Sequence, residues 1–173
     1  MVILGVDPGL NATGFGVISA QPAAIQVLAA GSLKSPRARP LAERLEVIHR
    51  GLSDIIQQYQ PETVVLEQLF THADYVATAT LMGHARGVCC LAAQEHGVPM
   101  AEYPPARAKK ALTGTGQATK QQVARMVAQW LGVADPGWSA DATDALALAI
   151  VHAQLARQRE RLPDAKAIAA GRR

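Results

Sequence analysis

The chain has 173 residues, 49% hydrophobic and 18% charged, with a formal net charge of +3. Such a balance gives one globular domain able to bury its own core, and it excludes a disordered chain. No window offers a membrane span. The N-terminal apolar run ends at Asp7, too short for a signal-peptide core, so a cytoplasmic protein is expected.

Taken in chain order, Met1 to Asp7 is a short apolar run with β-branched residues, a buried strand. Pro8, Gly9 and Asn11 mark a turn. Thr13 to Ser19 and Ile25 to Leu33 read as two more strands, and the short connections argue for an antiparallel meander. The period then changes. Leu41, Leu45, Ile48, Leu52, Ile55 and Tyr59 recur at spacings of three and four, an amphipathic helix with Pro40 suited to its first position and Pro61 stopping it. Thr63 to Leu66 is a continuous apolar strand that ends at Glu67. A long helix is expected over 75–96, closed by Gly97. A short fifth strand follows from Val98 to Tyr103, stopped by Pro104 and Pro105. Thr119 opens another helix with Gln122 in a capping-box arrangement, its buried stripe being Val123, Val127, Trp130 and Leu131. After a break at Pro136-Gly137, a last helix runs from about Ala140 to Arg159. The order β-β-β-α-β-α-β-α-α predicts a mixed sheet with helices on both faces. One domain over 1–160 and a basic, disordered tail over 161–173 complete the expectation.

Charge is placed unevenly. Arg157 to Arg173 holds six basic residues against Glu160 and Asp164, a net of +4, which leaves −1 for residues 1–156. Cys89 and Cys90 are helix neighbours whose side chains point about 100° apart, a poor metal or disulfide pair, and read as buried thiols in a reducing compartment.

Asp7 and Glu67 each close an apolar strand, and Asp141 and Asp144 stand three apart at a helix start, on one face. Carboxylates so placed converge over one edge of a sheet, and at close range they repel unless cations bind between them. Hard oxygen ligands suit Mg²⁺ or Mn²⁺, and two ions roughly 4 Å apart are a standard solution for phosphodiester hydrolysis. With the four acids neutralised, the remainder of 1–156 would carry +3, a surface that tolerates phosphates. Blander readings stay open: Asp141 and Asp144 also complement a helix dipole, and Asp7-Pro8-Gly9 also makes a turn. No Ser/His/Asp or Cys/His arrangement presents itself. His49, His72, His84, His96 and His152 lack metal-ligand spacing.

Five motifs occur in order: Gly5-Val6-Asp7-Pro8-Gly9, Thr13-Gly14-Phe15-Gly16, Glu67-Gln68-Leu69-Phe70, Gly83-His84-Ala85-Arg86-Gly87 and Asp141-Ala142-Thr143-Asp144-Ala145-Leu146-Ala147. In content and spacing they resemble the RuvC Holliday junction resolvases over roughly residues 2–155. The resemblance implies an α/β, ribonuclease H-like fold with a five-stranded mixed sheet. It implies an endonuclease that resolves four-way DNA junctions by paired, metal-dependent cuts in recombination and repair. Asp7, Glu67, Asp141 and Asp144 become the ligands of two Mg²⁺ or Mn²⁺ ions, although some relatives place a histidine at the position matching Asp141. Lys109 and Lys120 match basic positions that contact junction phosphates, with Arg107 and Lys110 adding steering. Phe70, three residues past Glu67, would stack on an unpaired base at the crossover. A homodimer is implied, since a two-fold junction needs two matched sites. A branch-migration motor is a partner at family level. Gly83 and Gly87, four apart, permit either intramolecular packing or the dimer seam.

Rivals remain. A nucleotide phosphotransferase of the actin/hexokinase kind also opens with a strand, an Asp and Gly turns, but it needs two lobes. A ribonuclease H-fold nuclease for another nucleic acid, or a non-catalytic junction-binding module, shares most of these features.

Overall fold

The structure, a computed structural model, describes residues 1–68, 76–134 and 137–161. Phe70, His72 and the expected tail beyond Arg161 lie outside them. Strands β1 (Val2–Asp7), β2 (Ala12–Ala20), β3 (Ile25–Lys34), β4 (Thr63–Glu67) and β5 (Met100–Tyr103) form one sheet in the order β3-β2-β1-β4-β5. The first three make the expected antiparallel meander, and β4 and β5 join β1 in parallel. The helices are α1 (Leu41–Tyr59), α2 (Val76–Glu95), α3 (Pro105–Thr113), α4 (Lys120–Leu131) and α5 (Ala140–Arg161).

Strand alternation divides the interior into two cores. Leu4, Val6, Val17, Val64 and Leu66 point to one face and pack with Ile48, Leu52, Ile55 and Ile56 of α1 and Ala85, Cys89, Ala92 and Ala93 of α2. Ile3, Ile18, Val65 and Tyr103 point to the other, onto α3, α4 and α5. Each fully buried leucine or isoleucine among them contributes about 1.5–3 kcal/mol. Central β1 and β4 are covered on both faces, which is why their sequences are continuously apolar.

On the second face α5 lies against the sheet almost backbone to backbone. A Cβ added to Gly5 would sit 1.9 Å from the Ala145 carbonyl oxygen, and one added to Gly14 would sit 2.1 Å from that of Asp141. Only a residue without a side chain admits that approach.

Three expectations need correction. Residues 105–113, given no element in the predicted order, form helix α3, with Pro105 in the first turn where a missing N–H costs nothing, and Gly114 as its left-handed cap at φ 83°. Pro40 caps α1 from outside instead of occupying its first position. Trp130 is 42% exposed because α4 buries only Val123 and Val127 against its neighbours. Cys89 is buried and Cys90 half-buried, both free thiols. No described helix is long and apolar enough to cross a membrane.

Candidate active site

Alternation also decides where the acids point. Ile3, Gly5 and Asp7 share the α5 face of β1, and Val65 and Glu67 share the α5 face of β4. Asp7 pairs in register with Gly14, the residue on which the start of α5 rests. Two devices hold this geometry. The buried Thr13 hydroxyl donates to the Gly9 carbonyl at 2.9 Å and fastens the Pro8-Gly9 turn that follows Asp7. Ser139 caps α5, its Oγ accepting the Ala142 N–H at 3.2 Å, and that same Oγ lies 2.8 Å from the Ser32 hydroxyl of β3.

Asp7, Glu67 and Asp144 line one cavity of about 370 Å³, together with Lys109 of α3, Lys120 of α4 and Met82 of α2. Lys120 Nζ lies 3.5 Å from Asp144 Oδ2, an exposed contact and therefore a weak one. Asp141 is not part of the lining. It sits one turn earlier, its Cβ packed against Gly14, and reaches the cluster through its charge.

The acids are short of positive charge. Burial first, and then Asp144, Glu67 and Asp141, push the Asp7 carboxyl up to about 7, against the opposing pull of Lys120. Burial and Asp144 likewise raise Glu67, opposed by Lys109 and Lys120. Among the described residues no three His, Cys, Asp or Glu side chains are already closed on a single point. The carboxylates instead border a cavity. Their chemistry, hard oxygens whose ionisation is suppressed by burial and by one another, fits a divalent cation that would relieve both.

The remaining candidates fare differently. Lys110 is exposed on α3 and Arg107 does not line the cavity. The Arg107 guanidinium lies 5.8 Å over the Tyr103 ring, whose hydroxyl is 2.9 Å from His152 Nδ1. Burial, and then the charge of Arg159, lower the His152 pKa. An added Cβ on Gly83 or Gly87 meets nothing within 4 Å, so these glycines serve no contact among the described residues. Missed altogether was Arg86 of α2, which donates to the Glu67 carbonyl at 2.9 Å. Its partners lie on other elements, so no local sequence signal marks it.

The family model described as crossover junction endodeoxyribonuclease RuvC matches residues 3–152. The chain belongs to the RuvC family. A relative from Rhodopirellula baltica carrying that description is 47% identical over 148 residues, 86% of this chain and 83% of the relative. The solved structure of Thermus thermophilus RuvC superposes with a TM-score of 0.83 at 34% identity, covering 92% of this chain and 97% of that one. The same protein in complex with a Holliday junction substrate gives 0.83 at 33%, covering 91% and 96%. The five-stranded mixed sheet is thus the ribonuclease H-like fold of RuvC. As a family member the chain is an enzyme, a divalent-metal-dependent endonuclease that resolves Holliday junctions in recombination and repair.

Proposed function

We propose that Asp7, Glu67 and Asp144, with Asp141 as the outer member, hold two Mg²⁺ ions, or Mn²⁺ in their place, and that this chain cuts four-way DNA at that site. The observation that carries the reading is the cavity itself, where two acids with raised pKa face two lysines. Bound divalent ions supply a metal-activated water and charge stabilisation for the leaving 3′ oxygen. The protein's own part is positional. Asp7 and Glu67 project from the ends of central strands braced on both faces. Lys109 and Lys120 attract the phosphate that the carboxylates would otherwise repel. Arg107 and Lys110 add steering from α3. Phe70 lies outside the described residues, and its proposed stacking on an unpaired crossover base rests on its place three residues after Glu67.

A homodimer fits the face of α2 where Leu91 is 50% exposed one turn beyond the unfilled Gly83 and Gly87. A branch-migration motor would act on the same junction. Two free thiols, Cys89 buried and Cys90 half-buried, accord with the cytoplasm.

Incubation of a labelled mobile four-way junction with Mg²⁺ or Mn²⁺, beside duplex and RNA–DNA hybrid controls, tests the reading. Paired symmetric nicks on the junction only, lost in Asp7→Asn with binding retained, are expected. Equal cutting of the hybrid would move the function to another nucleic acid.

A further inference from the structure

Glu67 ends β4 at a point where the strand beside its carbonyl offers no donor. The Gln68 N–H of the same peptide donates to the Tyr103 carbonyl of β5 at 3.0 Å, so the Glu67 carbonyl points away from β5. In a parallel ladder a carbonyl accepts from the residue that follows its register partner. On the β1 side the two strands pair as far as Val6–Leu66, and beyond Asp7 stands Pro8, which has no N–H. The peptide is thus held from one side only, and its carbonyl needs a partner from elsewhere.

Arg86 fills the gap from a third element. One guanidinium nitrogen, Nη1, donates to the Glu67 carbonyl at 2.9 Å, and the other, Nη2, pairs with the Glu102 carboxylate of β5. Glu102 is the register partner of Leu66, so the planar fork spans the two strands just where their ladder stops. The Arg86 side chain is only 14% exposed, which means that its charge needs both partners.

We infer that Arg86 is a positioning residue for Glu67, a side-chain substitute for the ladder bond that Pro8 cannot supply, and that it thereby sets how tightly the Glu67 carboxylate holds the divalent ion. The inference rests on Glu67 being a metal ligand, as proposed above. Arg86 touches no reacting atom and works through the Glu67 main chain. Groups that orient a metal ligand in this way are worth about 10–100-fold in metal affinity or activity.

The test uses full-length protein with Arg86→Gln, Arg86→Lys and Glu102→Gln. Mn²⁺ binding is followed by calorimetry without DNA, junction binding in Ca²⁺, single-turnover cleavage against Mn²⁺ concentration, and thermal unfolding. Arg86→Gln should weaken Mn²⁺ binding and raise the half-saturating Mn²⁺ by about 10–100-fold, with junction affinity unchanged. Arg86→Lys should recover part of the loss, because an ammonium reaches the carbonyl but cannot fork. Glu102→Gln should shift the curve less and in the same direction. Slower cleavage with an unaltered Mn²⁺ curve and a lower melting temperature would overturn the inference and reduce Arg86 to an anchor for α2. Should Arg86→Gln fail to fold, wild-type Mn²⁺ curves in both milder variants would overturn it equally. Glu67→Gln separates the two claims. If that variant cuts normally, the metal-site reading fails, whatever Arg86 does.

Discussion

Glycine does opposite work in two regions of this molecule. Under α5, Gly5 and Gly14 have helix backbone within 1.9–2.1 Å of where a Cβ would stand. On α2, Gly83 and Gly87 have nothing within 4 Å. The first pair lets a helix bearing Asp141 and Asp144 settle onto the strand that bears Asp7, so a packing seam is what brings the acids together. Among the described residues the second pair is left unfilled, with Leu91 exposed one turn beyond Gly87. A small residue signals close approach only where something approaches. The seam serves the proposed metal site through geometry, and the unfilled face is where the proposed dimer would form.

Substitutions that fill each space separate the two regions. Gly5→Ala should have the largest effect, because Ala145 O and Ala149 N, at 1.9 and 3.0 Å, are both backbone. A loss of about 3 kcal/mol or more is expected in chemical denaturation. An unchanged midpoint would mean that α5 slides freely. Gly14→Ala should cost less stability, about 1–3 kcal/mol, since the first turn of α5 can lift. That lift displaces the Asp141–Asp144 turn, and junction cleavage should fall on the order of 10²-fold. Cleavage at the wild-type rate would detach the seam from the chemistry.

The seam also concentrates charge, and this gives a pH signature in metal-free buffer. An acid raised from 3.8 to about 7 binds its proton more tightly folded than unfolded. Its contribution to stability is therefore complete at low pH and is lost as pH rises through that window. Denaturation midpoints in chelator should decline between those values, and Asp7→Asn should flatten the decline. A midpoint that climbs over the same range would contradict the burial of Asp7. Smallest of all, Gly83→Ala and Gly87→Ala should leave the protomer unharmed or stabilise it by up to about 1 kcal/mol each through helix propensity. Sedimentation should show the proposed dimer weakened. A destabilised protomer would mean that this face is covered within the chain.

Much of this was legible because it rests on short-range pattern. Val64-Val65-Leu66 could only be a covered strand, and Thr119 with Gln122 was a helix start on chemistry alone, later seen as a reciprocal pair at 2.8 and 3.3 Å. Asp7 and Glu67 stood out as charges ending apolar runs. Helix α3 stayed hidden because Pro104, Pro105, Gly114 and Gly116 are all turn formers, and nothing local says that one proline opens the helix while one glycine closes it. Asp141 and Asp144 share a helix face by spacing, yet only Asp144 lines the cavity, a distinction set by where α5 lies on Gly14. Arg86 was invisible as a functional residue because its partners, 19 and 16 residues away, meet it only through the fold.

The fully buried residues of α5, from Ala145 through Leu146 to Ile150 and Val151, carry a further implication for hydrogen exchange. Amides this deep, on a helix wedged against the central strands, open only when the whole domain opens. The helix that presents Asp144 should therefore share the slowest exchange class with Leu4 and Val6 of β1, while the outward-facing part of α2 exchanges through small local openings. The proposed ligand Asp144 thus stands on a helix whose core is among the last parts of the protomer to open.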